Sequence, residues 1–443
     1  MEKGVSTVEI VSNGINKRNF IIKLSWLMSG GMFVDGFVLG YIGMVMPAMS
    51  AELGLSLYWQ GLIGAAALFG TLIGAPIGGW LSNRIGRRPM FTFDLFLFVF
   101  CSVAQFFVSD PITLFIVRVL MGAAIGIEYA VGWPFLAEFS PAKIRGKLLC
   151  LTEIAWYTGF LASYFVGYVL TVIYPTHWNI ILGLSTIPSV IVLILRWGTP
   201  ESPHWLMSKG RKEEAMAIAE KYMDEEQQED VLNYKHGDTT KNAGFFDLFK
   251  LKHRKSTIFF VTMFIGSSAP YYAMVFFIPH VLEKLGLEDG FTGGLFLNVL
   301  AVVGTVLCTI FAERVSRRKM ITLPFLISTI ALVVIAIFGQ LSANVMLICF
   351  LTYALFNAWT GAILAVFPSE IFTSDISSLG TGFATCIARV VACVGTFLLP
   401  SVIENYGATI IIWVAAFISL ISTVIAQLYC PNTKGKKISE IFH

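Results

Sequence analysis

The sequence predicts an all-α integral membrane fold of twelve transmembrane helices, arranged as two pseudo-symmetric six-helix halves. Three observations carry this prediction. The 443 residues are 56% hydrophobic and only 13% charged, with a mean hydropathy of +0.75, whereas soluble domains run nearer about 25% charged. Apolar runs long enough to cross a bilayer, about 20 residues each, recur along the chain. A basic turn after the second run, Gly79-Trp-Leu-Ser-Asn83-Arg84-Ile-Gly86-Arg87-Arg88-Pro89, has a degraded copy in the second half of the chain, Glu313-Arg314-Val-Ser316-Arg317-Arg318-Lys319.

The apolar runs place six spans at 22–47, 60–82, 89–108, 111–138, 149–173 and 178–197. Six more fall at 256–284, 291–313, 319–340, 343–367, 379–403 and 408–429. The domain organisation that follows is a tail over 1–21, an N-terminal half over 22–197, a linker over 198–255, a C-terminal half over 256–430 and a tail over 431–443. Residues 1–18 are polar, lack the apolar core of a cleavable signal peptide and read as a disordered tail. Lys and Arg cluster in alternate loops: Lys17, Arg18 and Lys23, then Arg84, Arg87 and Arg88, then Lys143, Arg145 and Lys147, then the linker and the Arg314–Lys319 turn. The intervening loops carry Lys284 as their only basic residue. The positive-inside rule therefore puts both termini and every basic loop on the cytoplasmic face of a cell (plasma or inner) membrane.

In the linker, Trp205, Leu206, Ala215, Ile218, Ala219 and Tyr222 alternate with Lys209, Arg211, Lys212, Glu213 and Glu214, a pattern of short amphipathic helices on the membrane face. Residues 223–243 read as a flexible acidic connector. The seven cysteines lie in or beside apolar runs at spacings that suit neither a metal site nor a disulfide framework. A net charge of +3 gives no reason to expect a nucleic acid partner. No cofactor is expected.

The motifs resemble those of the major facilitator superfamily, in particular its sugar-porter and metabolite:proton symporter branches. Gly79, Arg84, Gly86, Arg87 and Arg88 match the signature turn after span two, with Asn83 where the family usually has Asp. Arg118, Gly122 and Gly126 match the R-x-x-x-G-x-x-x-G pattern of span four. Pro134, Glu138, Pro141, Arg145 and Gly146 match the turn that follows it. Pro200-Glu201-Ser202-Pro203-His204-Trp205 is close to the element that closes the first half, and Pro368-Ser369-Glu370-Ile371-Phe372 matches the one after span ten. The Arg-Gly expected after the latter is replaced by Ser377-Ser378. The resemblance covers nearly the whole chain and implies a monomeric secondary transporter working by alternating access. Two related halves in one membrane chain point the same way.

On this reading the cytoplasmic gate consists of Gly79, Arg84, Gly86, Arg87, Arg88, Glu138, Arg145, Glu201, Arg314, Arg317, Arg318 and Glu370. Its arginines hold helix-end carbonyls and acidic partners across the seam between halves. Ionisable residues inside spans are costly and mark functional sites. Asp35 and Glu128, tuned by Arg118, are expected to couple protons to substrate. Arg118 and Glu128 lie about 15 Å apart along one helix and about 80° apart around it, so both can face the cavity at different depths. A carboxylate in low dielectric holds its proton more tightly, and a nearby arginine reverses this. A buried ion pair that only stabilises the bundle is the competing expectation.

The candidate substrate contacts are Glu153, Trp156, Tyr157, Tyr271, Tyr272, Asn298, Asn357, Trp359 and Arg389, polar groups set among aromatics as a small-molecule cavity needs. Sugar porters place a sugar-binding Gln at the Glu153 position, and a Gln-Gln pair and an Asn on span seven; the matching positions here hold Ser267, Ser268 and Ala273. Arg389 resembles the span-eleven arginine of organic-anion carriers, able to clamp a carboxylate, while the intramembrane acids favour a cation. The expected cargo is a small polar metabolite, an organic acid or sugar-like molecule, moved with protons. A proton-driven exporter of drugs or organic cations is the alternative; its span-five Gly-Pro motif is missing. No G-x-x-x-x-G-K-[ST] element marks a pump, and six scattered histidines mark no enzyme or metal site.

Overall fold

A computed structural model describes residues 7–173, 177–233, 245–284, 290–338, 342–372 and 374–431; within these, the side chains of 7–16, 57, 171, 252, 272–284, 290–293, 343, 374–375, 396–397, 399–401, 403–405 and 408 lie outside the described set. The first half contains α1 (Thr7–Gly40), α2 (Ile42–Leu53), α3 (Leu57–Ile85), α4 (Arg87–Gln105), α5 (Pro111–Phe139), α6 (Arg145–Ile173), α7 (Trp178–Gly183) and α8 (Thr186–Arg196). Three short helices follow: α9 (Pro203–Ser208), α10 (Lys212–Tyr222) and α11 (Glu225–Leu232), then a 3₁₀ turn, Phe245–Phe249. The second half contains α12 (Leu251–Lys284), α13 (Gly290–Phe311), α14 (Arg317–Phe338), α15 (Ala343–Leu364), α16 (Phe367–Ile371), α17 (Ser374–Tyr406) and α18 (Ala408–Tyr429). Among the described residues eleven helical segments are long and apolar enough to span a bilayer, and α12 completes a set of twelve.

Local chemistry fixes the ends of these helices. Asp110 caps α5 by accepting the Thr113 N–H at 2.9 Å, with Pro111 in the first helical position. Ser56 and Ser342 cap α3 and α15 in the same way. The sixth span is not one helix but two: Pro188 has no N–H to give the Leu184 carbonyl, and the chain breaks at Leu184–Ser185 between α7 and α8. The first span breaks similarly at Tyr41. Two expectations need correction. The segment expected as a disordered tail is helical from Thr7 onward, continuous with α1. Part of the expected connector is ordered as well, because Asp224 and Gln227 form a capping box that starts α11. Residues 234–244 lie outside the described set.

Outward faces are apolar, as a hydrocarbon solvent requires. On α4, for instance, Phe93, Phe96 and Phe100 recur at helical spacing and are all exposed. Inside the first half, α3 and α5 close tightly because Gly70 and Gly74 face the α5 backbone while Gly122 and Gly126 face that of α3. Gly61 and Gly64, on the same glycine-rich stretch, face no helix backbone. The halves meet where α3 lies against α17 and α6 against α13. A Cβ on Gly79 would sit 2.5 Å from the Ser378 carbonyl oxygen, and one on Gly382 would sit 2.3 Å from that of Ala75. Only glycine permits that approach across the seam.

Candidate functional site

A central cavity lies between the halves, enclosing about 490 Å³ of unfilled space with its open mouth included. Of the expected contacts, Glu153, Trp156 and Tyr157 from α6, Tyr271 from α12 and Arg389 from α17 line it. Arg389 and Glu153 act on one another electrostatically, and the Arg389 guanidinium stands 5.7 Å from the Tyr129 ring centre. Trp156 packs edge-on against Tyr157 at 4.8 Å and near Tyr271 at 6.3 Å, so the aromatic wall crosses from one half to the other.

Three expected contacts do not line this cavity, and a fourth cannot be placed. Trp359 turns away, donating its indole N–H to the Met320 carbonyl at 3.1 Å and stacking on Phe311; it packs the second half. Asn298 donates to the Gly294 carbonyl of its own helix at 2.8 Å. Asn357 is buried on α15 but is not among the lining residues. The Tyr272 side chain lies outside the described residues. The cavity instead adds Tyr129, Trp133, Phe264, Ser267, Ser268, Gly361 and Leu364. Ser267 and Ser268 are the span-seven positions noted in the sequence; the apolar and aromatic residues sit in continuous hydrophobic runs, where nothing local separates a lining position from a packed one.

The charged residues of the first half are arranged differently from the expectation. Glu128 does not pair with Arg118. It receives two hydrogen bonds from Arg196 of α8, at 2.8 and 2.5 Å. Arg196 also donates to Asp94 of α4 at 3.3 Å and to the Phe91 carbonyl at 2.7 Å, and it lies over the Phe91 ring. Arg118 is buried near the hydroxyl of Tyr41, beside a chain of hydroxyls in which Ser185 donates to Ser102 at 2.9 Å. The 80° turn of α5 between Arg118 and Glu128 sends them to different neighbours. Asp94 and Arg196 were missed, although an ionisable residue inside an apolar run was the signal that singled out Asp35.

Asp35 of α1 is fully buried, and neither of its carboxylate oxygens has a hydrogen-bond partner among the described residues. The charges acting on it are those of Glu128, Arg196, Glu153 and Arg389. It therefore feels both the ion-pair cluster and the charged residues of the cavity.

At the basic end of the bundle the two repeated turns build the same pair twice. Arg87 binds Glu138 at 2.8 Å, and Arg317 binds Glu370 at 3.0 Å; each arginine opens the helix after its turn, while Glu138 lies in the last turn of α5 and Glu370 in the short helix α16 that follows α15. Glu201 caps α4 by accepting the backbone N–H groups of Arg87 and Arg88 at 3.0 and 3.1 Å. Burial pushes the Glu201 carboxyl above its usual range, while those N–H groups pull it back. Gly86 is held at φ +112°, and a Cβ there would come 2.3 Å from Glu201 Oε2, which excludes a side chain on both counts. The link across the seam is one-sided. Arg145 of the first half reaches Glu370 at 3.7 Å, and the Lys147 N–H donates to Glu313 at 3.2 Å. The mirror position of Arg145 is Ser377, which donates to the Pro368 carbonyl instead, and Glu138 is bonded by Ser202 of the linker.

Other basic residues of the two turns have different roles. Arg84 is exposed and lies over Trp80 at 4.0 Å, Arg318 donates to the Cys430 carbonyl at 3.2 Å, and Arg314 is exposed. Beneath the seam, the thiols of Cys150 and Cys308, one from each half, are buried 3.9 Å apart. Because Glu370 joins Arg317 to Arg145, Glu370→Gln should loosen the seam, and alkylation of Cys150 and Cys308 by a small maleimide should accelerate several-fold. An unchanged alkylation rate would refute a closing role for Glu370.

Comparison with known proteins adds a common pattern. The family described as "Sugar (and other) transporter" matches residues 25–442. The inner membrane metabolite transport protein YgcS of Escherichia coli (strain K12) is 32% identical over 97% of this chain and 96% of its own. The arabinose-proton symporter of Bacillus subtilis (strain 168) is 25% identical over 95% and 94%. Among solved structures, the proton:xylose symporter XylE bound to 6-bromo-6-deoxy-D-glucose superposes with a TM-score of 0.85 at 21% identity, covering 96% of this chain and 99% of that one. The inward-open form of XylE from E. coli superposes with a TM-score of 0.71 at 22% identity, over 95% and 99%.

Proposed function

The chain belongs to the sugar (and other) transporter family, with the major facilitator fold, and from that premise we propose that it is a secondary transporter that moves a small polar metabolite together with protons by alternating access. Its relatives are transporters rather than enzymes, and the metabolite-transport names among them disfavour the drug-exporter alternative. The observation that carries the reading is a polar, aromatic-walled cavity shared by both halves above a seam of ion pairs at the basic end. On this reading the basic end and both termini face the cytoplasm, and the described state is closed on that side. Asp35 carries the proton, beside the Glu128–Arg196 pair. We take the working unit to be a monomer in the bilayer.

Alternating access requires the seam to part. Oxidising Cys150 to Cys308 with copper–phenanthroline in proteoliposomes should stop substrate counterflow, and dithiothreitol should restore it; a Cys150→Ser protein should ignore the oxidant. Undiminished counterflow by fully cross-linked protein would overturn the proposal. Coupling to protons is tested separately through Asp35.

A further inference from the structure

The cavity carries two opposite charges, one from each half. Glu153 is supplied by α6 of the first half and Arg389 by α17 of the second, and each feels the other's field. Around them stand six aromatic residues, Tyr129, Trp133, Trp156, Tyr157, Phe264 and Tyr271. The side-chain hydroxyls of Ser267 and Ser268 and of the tyrosines add neutral polar groups, and the lining holds no Asn or Gln among the described residues. The indole N–H groups of Trp133 and Trp156 are buried without a partner among the described residues, so the wall holds donors that await an acceptor.

Three substrate classes leave this inventory unsatisfied. A simple anion meets Arg389 but is repelled by Glu153. A simple cation meets Glu153 and the aromatic faces but is repelled by Arg389. A neutral sugar offers a counter-charge to neither group, and the span-seven positions that hold amides in sugar porters are serines here. A molecule bearing both charges pairs with each. Aromatic faces solvate an alkylated ammonium through their quadrupoles, and a guanidinium and indole N–H groups bind a carboxylate.

Resting on the transport reading above, we infer that the substrate is a small zwitterion with an alkylated ammonium group and a carboxylate. The ammonium sits on Glu153 within the aromatic wall, and the carboxylate sits on Arg389. Binding draws Glu153 and Arg389, and with them the two halves, toward one occupant.

The test is counterflow in proteoliposomes of the full chain. The probes are glycine betaine and its longer homologue γ-trimethylammoniobutyrate. They are set against 3,3-dimethylbutyrate (the same shape with carbon for nitrogen), tetramethylammonium, gluconate and D-xylose. At least one betaine should support counterflow about tenfold or more better than the carbon isostere and tetramethylammonium, the scale of one lost charge-assisted pair. Glu153→Gln should erase the preference over the carbon isostere, and Arg389→Gln the preference over tetramethylammonium. Gly361 lies 3.4 Å from the Tyr157 hydroxyl and 3.6 Å from Ser267 Oγ when a Cβ is added, so Gly361→Leu should fill the cavity and weaken every probe equally. Counterflow of D-xylose or gluconate without either betaine would overturn the inference and leave the transporter reading standing. Failure of both betaines, with no other probe active, would overturn it too. The transporter reading itself stands or falls on the Cys150–Cys308 cross-link.

Discussion

Replacing Arg196 by Leu should be the most destabilising single change in the first half. The residue is fully buried at the end of α8 and bonds Glu128, Asp94 and the Phe91 carbonyl together. Its loss strands two carboxylates in a low-dielectric bundle, and breaking a buried pair from one side costs about 3–5 kcal/mol. The measurement is detergent-solubilised thermal unfolding followed by intrinsic fluorescence, with size-exclusion monodispersity as a check. A triple variant, Arg196→Leu with Glu128→Gln and Asp94→Asn, should recover most of the loss, because it removes the stranded charges. A single variant as stable as the parent would show that the cluster contributes nothing. The same geometry explains Gly31: a Cβ there would fall 2.0 Å from Arg196 Nη2 and 2.4 Å from Glu128 Oε1. The ion pair lies directly against the α1 backbone, so Gly31→Ala should push it apart and reproduce part of the Arg196 defect.

The second large effect concerns Asp35. Asn keeps the shape of the protonated acid but can neither bind nor release a proton. Asp35→Asn should therefore lower uptake driven by a pH gradient about tenfold or more while leaving counterflow exchange near the parental rate. Substrate-induced alkalinisation of a lightly buffered medium should vanish with it. The contrast with Arg196→Leu separates coupling from folding: Asp35 has no hydrogen-bond partner to strand among the described residues, so its amide should fold and exchange normally. Gradient-driven uptake at the parental rate would remove Asp35 from the coupling mechanism and move attention to Glu128.

The sequence was most informative where the physics is local. A bilayer leaves helices as the only open choice for an apolar run of about 20 residues, so the spans were legible within a few residues. The breaks within the first and sixth spans were not read, although Pro188 marks the latter. The doubled turn also announced itself, and its copies build equivalent pairs, Arg87–Glu138 and Arg317–Glu370. Less legible were partners separated by whole helices. Arg118 and Glu128 share α5 and were expected to act together, yet Glu128 bonds Arg196, 68 positions away. Trp359 and Asn298 carried suitable chemistry on suitable helices, and their azimuths sent them elsewhere.

By itself, the sequence determined the class of machine: a membrane bundle of two related halves with its basic turns gathered at one end. Hydropathy, charge placement and motif order are properties of short segments, and they survive without knowing which helix touches which. Only the tertiary structure decided the pairings that define the site, because they depend on rotation about each helix axis and on which helices are neighbours. It joined Glu128 to Arg196 and left Asp35 buried in the field of that pair and of the cavity charges. It set Glu153 and Arg389 facing one space from opposite halves, and it tied the seam through Arg145 on one side, with Ser377 in place of the mirror arginine.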